Sequence, residues 1–162
     1  MAEAKLERSV QLGLLDRLID LDPDNRSEAP MSRSESLRRL RNAVRRDLEY
    51  LLNTTRAPLE IPEGCPECPN SILGYGLPDI SGVSLQNSGD EQRLLKGLEN
   101  AVETFEPRLS RIRVTSADVD DSNKQSLTFH VEALLMIDPA PERIAFDTVL
   151  DITKGAYSVK EN

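Results

Sequence analysis

Tryptophan is absent from this chain, and three phenylalanines and three tyrosines serve all 162 residues. Any core must therefore be built mainly from Leu, Ile and Val. No apolar run approaches the roughly 20 residues that span a bilayer. The opening "MAEAKLERSV" has no apolar stretch behind its charges, which argues against a secretory signal. The expectation is a soluble, cytoplasmic protein of one domain with some unstructured margin. Basic charge is outweighed, with 20 Lys and Arg against 28 Asp and Glu and a net charge of -8. That balance argues against nucleic acid or an anionic membrane as a partner for the whole surface. Histidine occurs once, at His130, and cysteine twice, at Cys65 and Cys68 in "GCPECPN". A closed zinc site takes four ligands, commonly from two such knuckles. No metal or other cofactor is expected, and the two thiols read as incidental to a proline-rich loop.

What is present is a strong alternation of patterns. Val10, Leu14, Leu18 and Leu21 recur at helical spacing, and "DPDNRSEAPMSRS" then reads as a linker. Residues 1–32 are thus an amphipathic anchor segment and linker, able to dock on their own domain or on a partner. Residues 33–162 form the main domain. Ser32 and Glu35 have capping-box spacing, and Leu37, Leu40, Val44, Leu48 and Leu51 make one apolar stripe. Arg38, Arg39, Arg41, Arg45 and Arg46 fall mostly off it, as a solvated face or a face for an acidic partner. "PLEI" could form one short edge strand, and "SILGYGLPD" reads as an ordered loop. A second helix begins near Ser88 and Glu91, which repeat the capping-box spacing. It carries Leu94, Leu98, Val102 and Phe105 on one face and stops at Pro107.

Beyond Pro107 the period becomes two. Ile112 and Val114 alternate with charged residues, and "SLTFHVEALLMI" places Leu127, Phe129, Val131, Ala133, Leu135 and Ile137 on one face. Leu134 and Met136 suggest that one end of this strand is covered on both sides. His130 is a solvent-side strand residue. "RIAFDTVLDI" and "AYSVK" supply the last strands, and the short links between strands imply antiparallel pairing. The fold class is α+β, with two main helices on one face of a small, mainly antiparallel sheet.

"LLDRL" (14–18), "RRDLEYLLNT" (45–54), "SILGYGLPD" (71–79) and "FEPRL" (105–109) resemble, in order, stretches of the TssE-type baseplate subunits of the type VI secretion system. These are related to a small wedge protein of contractile phage tails. The resemblance runs from about residue 9 to 160, and the cysteine loop is not part of it. It implies a structural subunit without catalytic residues or cofactor, which joins other wedge subunits and helps start polymerisation of the contractile sheath. Its partners would be wedge subunits and sheath proteins, with no nucleic acid, membrane insertion or small-molecule substrate. The alternatives are a regulatory anti-adaptor of the same fold class and a lysozyme-like, peptidoglycan-cleaving enzyme. For the enzyme, no defined pair of carboxylates stands out.

Within that resemblance, Glu106, Pro107 and Arg108 are expected to meet a wedge partner, and Val10, Leu14 and Leu18 to anchor one. Val149 and Val159, in the last two strands, are expected to offer an edge to the sheath. Leu109 and Phe105 are structural. An extended chain around Pro107 sends Glu106 and Arg108 to the same side. They could form a dipolar patch for a partner, or tie the corner to its own helix.

Overall fold

The computed structural model describes residues 10–19, 23–24, 31–58, 64–79, 88–117, 126–151 and 155–161. Leu21, Ile152, most of the linker, "PLEI" beyond Pro58, the side chain of Ser88 and the "DVDDSNKQ" link lie outside the described residues. The chain forms two compact units, residues 1–44 and 45–162, and helix α2 (Arg33–Leu52) runs through the boundary.

In the first unit, the Ser32 hydroxyl accepts the Glu35 amide at 3.2 Å, which satisfies one of the free donors at the start of α2. The Glu35 carboxylate turns outward instead of closing the box, binding Arg38 at 2.8 Å and Arg39 at 3.3 Å. The Arg38 hydrogen bond in particular lowers its pKa. Ser36 is only 1% exposed. Its hydroxyl donates to the Arg33 carbonyl at 2.8 Å and accepts the Val10 amide at 2.9 Å. The segment before α2 is therefore pinned to the first turn of that helix at Val10. Helix α1 (Leu14–Leu18) follows, with no buried residue.

The second unit holds the rest of α2, helix α3 (Ser88–Phe105) and four strands: β1 (Leu109–Ser116), β2 (Ser126–Leu135), β3 (Glu142–Asp151) and β4 (Ala156–Glu161). They form an antiparallel sheet in sequence order. Alternation sorts each strand by face, so Leu127, Phe129, Val131, Ala133 and Leu135 are buried along β2. Leu48 and Leu52 of α2 and Leu98 and Val102 of α3 meet Val114, Phe129, Val131 and Thr148 around a small void of about 10 Å³. The layers thus close with space for one water at most. The register of β1 slips between Ser110 and Arg113, where Arg111 takes φ 52, a bulge in an edge strand. The outer cover expected near Leu134 and Met136 is not supplied by the described residues, because Met136 is 52% exposed. His130 lies on that outer face, with Nδ1 2.7 Å from Asp147 Oδ1 of its cross-strand neighbour.

The loop before α3 depends on a glycine. Gly76 has φ 102, and a β-carbon there would sit 2.3 Å from the Thr54 carbonyl oxygen. That carbonyl accepts the Leu77 amide at 2.8 Å, and Arg56 N–H donates to the Leu77 carbonyl at 2.7 Å. Gly76→Ala is expected to cost about 1–3 kcal/mol in backbone strain alone. It should also break this bridge, seen as a lower urea midpoint and faster exchange at the Leu77 amide.

Tyr157 of β4 is 5% exposed, and its phenol oxygen has no hydrogen-bond partner among the described residues. Burial pushes its pKa up to about 12. The unfolded chain releases this proton near pH 10, whereas the folded chain keeps it. Stability is therefore fully present below pH 10 and is lost as pH rises toward 12, by about 1 kcal/mol at pH 11. Tyr157→Phe should be at least as stable as the native protein at pH 7. It should also fall less between pH 9 and 11, as urea unfolding of both proteins would show.

Candidate functional site: the corner between α3 and β1

Helix α3 stops where Pro107 forbids its continuation. The Glu106 amide still bonds the Val102 carbonyl at 2.9 Å, and the Leu109 amide bonds the Glu106 carbonyl at 3.0 Å, so one tight turn leads into β1. The Met136 amide donates to the Arg108 carbonyl at 2.8 Å, tying the corner to the end of β2. Pro107 lies exposed on the turn, and Leu109 enters the core at 5% exposure.

Glu106 is only 4% exposed. A carboxylate that deep needs a counter-charge and donors. Arg108 supplies both: Nε reaches Glu106 Oε1 at 2.6 Å, and Nη2 bonds Oε2. The same Nη2 lies 2.6 Å from Asp47 Oδ2 on α2. Arg46 then meets Asp47 Oδ1 through Nε at 3.0 Å and Nη2 at 2.9 Å. The result is a balanced set of two guanidiniums and two carboxylates that fixes α2 against the corner. The hydrogen bonds that Arg108 donates to Glu106, first, and to Asp47 raise its pKa against the opposing effect of burial. Tyr75 closes the other side, its ring 5.2 Å from that of Phe105 and edge-on at 71°. Burial first, then the negative charges of Asp47 and Glu106, raise the Tyr75 pKa.

The residues singled out in the sequence therefore divide. Phe105, Glu106, Pro107, Arg108 and Leu109 share the corner. Because Glu106 faces inward, it and Arg108 form a brace, with the outer side of Arg108 still 26% exposed. Val10, Leu14 and Leu18 lie in the first unit. Val149 sits in inner strand β3, paired with Thr128 and Ser158, whereas Val159 belongs to edge strand β4. Of the α2 arginines, Arg46 meets its neighbour Asp47 at 2.9 Å, and Arg45 meets Glu49 at 3.4 Å and the Val159 carbonyl of β4 at 3.2 Å. Asp47 and Tyr75 were missed by sequence reasoning. The usable signal was that "RRDLEY" puts an acid among arginines beside the apolar stripe. Cys65 and Cys68, read above as thiols, bring their sulfur atoms into close contact within the loop. Among the described residues, no group of three or more His, Cys, Asp or Glu side chains could hold a metal ion. None of the described helices is long and apolar enough to cross a membrane.

The corner is an ion-pair lock around the buried Glu106, set where a helix meets the sheet of an α+β frame. Residues 38–140, well over half of the chain, match the family model for baseplate wedge protein gp25. The chain belongs to this baseplate wedge family, which is also the family of the TssE-type subunits. The match takes in the whole corner from Asp47 to Met136 and ends before β3. No curated protein and no solved structure matches the chain significantly.

Proposed function

We propose that this chain is a TssE-type, non-catalytic subunit of a type VI secretion baseplate, acting in the cytoplasm, where it joins wedge subunits and helps initiate the contractile sheath. The observation that carries the reading is the corner itself, inside the matched region of a baseplate wedge family. The lock holds Pro107 and the outer side of Arg108 rigidly at the surface, next to the half-exposed Met136. A preorganised patch of that kind loses little entropy on binding. In this reading Glu106 aims Arg108, and Arg108 with Pro107 meets the wedge partner. A second contact comes from the N-terminal segment, through Val10, Leu14 and Leu18. The sheath contact is assigned to edge strand β4, which carries Val159, and not to Val149 of inner strand β3. The test is affinity capture of the tagged chain from its own cells, with co-purifying proteins identified. Wedge and sheath subunits are the expected catch. Their absence, with a single soluble regulator in their place, would point to the anti-adaptor reading.

A further inference from the structure

The outer strands of a sheet carry backbone groups that no neighbouring strand meets. Among the described residues these strands are β1 and β4. Both are met by side chains from the helices. On β1, Glu99 of α3 accepts the Val114 amide at 2.8 Å. On β4 the cover is more complete. Asn53, one residue past α2, donates Nδ2–H to the Tyr157 carbonyl at 2.8 Å and accepts the Tyr157 amide on Oδ1 at 2.9 Å. One side-chain amide thereby makes the donor–acceptor pair that a residue of an added strand would make. Arg45, on the same side of α2, donates Nη1 to the Val159 carbonyl at 3.2 Å. Tyr157 and Val159 are two apart, so these are successive outward-facing positions of the edge.

We propose that Asn53 and Arg45 close the β4 edge against strand addition, and that the strand they exclude is β4 of a second copy of this chain. The sequence "AYSVKE" favours such pairing, because Tyr157 and Val159 are good strand formers. Antiparallel pairing centred on Val159 sets Tyr157 opposite the partner's Glu161 and Ser158 opposite the partner's Lys160. No like charges then face one another, and the outward groups of Tyr157 and Val159 meet in the hydrogen-bonded positions. The closure of the free chain does not depend on the baseplate reading; a sheath strand that used the same edge would have to displace Asn53 and Arg45.

The experiment compares the native chain with the Arg45→Ala/Asn53→Ala variant by sedimentation across a concentration series. It also reads backbone amide exchange at Tyr157 and Ser158 at low concentration. The variant is expected to self-associate about tenfold more tightly or better. Its Tyr157 amide should exchange faster, while Ser158, which faces β3, stays protected. Adding Val159→Pro removes an outward donor at an edge, where proline is tolerated, and should return association to the native level. Native-like sedimentation of the double variant would overturn the proposal, and so would association that Val159→Pro leaves unchanged. Loss of protection at Ser158 as well would also overturn it, since Asn53 would then be holding β4 in the sheet, not closing its edge.

Discussion

Arg108→Ala is expected to destabilise the isolated domain by about 3–5 kcal/mol, the cost of leaving one member of a buried ion pair without the other. The stranded group is Glu106, at 4% exposure. It would keep the Arg108 amide at 3.3 Å but lose both guanidinium bonds. Asp47 would retain Arg46, so its loss is smaller. Because the Arg108 side chain is 26% exposed, water can enter the space it leaves, which favours the lower end of the range. Leu109→Ala, at a site 5% exposed, should fall within about 2–5 kcal/mol. The two variants should therefore look alike in urea unfolding, although one removes charge and the other volume. Arg108→Lys should lie between native and Arg108→Ala, since an ammonium cannot reproduce the fork that spans Glu106 and Asp47. A loss below about 1 kcal/mol for Arg108→Ala would mean that Glu106 is solvated through the gap. The charges would then act mainly toward a partner.

The brace and the proposed contact are compatible, and the corner shows why the sequence left both open. Residues two apart in an extended chain do share a side, and Glu106 and Arg108 do meet. Spacing alone says nothing about which way that side faces. The direction is set by Asp47, 61 positions away along the chain. Only the docking of α2 brings its carboxylate to the guanidinium.

The same limit runs through the molecule. Local patterns carried the elements: the Leu40, Val44, Leu48 and Leu51 stripe is buried in α2, and Pro107 marks the end of α3. The alternation from Leu127 to Leu135 is the buried face of β2. Links of a few residues also made antiparallel order legible. Asn53 and Tyr157 were not legible, being 104 positions apart with no periodic signal on either. The edge role expected of Val149 rested on its place near the chain end. Strand order instead puts β3 between β2 and β4, so only β4 of the last two strands is outermost.

Replacing Leu14, Leu15 and Leu18 together by serine is expected to leave the unfolding midpoint unchanged and to reduce capture of wedge partners by about a hundredfold or more. The first half follows from exposure. These side chains are 74%, 64% and 73% exposed, so the fold gains little from their apolar surface. A helix of five residues is also too short to stand on its own hydrogen bonds. Something other than local propensity must repay its order, and the Val10 amide bond to Ser36 secures only the segment's start. The second half follows from burial. Taking one leucine from water contributes roughly 1.5–3 kcal/mol. Two fully covered leucines out of the three therefore exceed the roughly 2.7 kcal/mol that a hundredfold change in affinity requires. Thermal melts of the isolated variant and pull-downs with the native N-terminus as reference separate the two halves. A lowered midpoint would place these leucines in the fold of the chain itself. Unchanged capture would remove α1 from the interface and leave wedge binding to Arg108 and its neighbours at the corner.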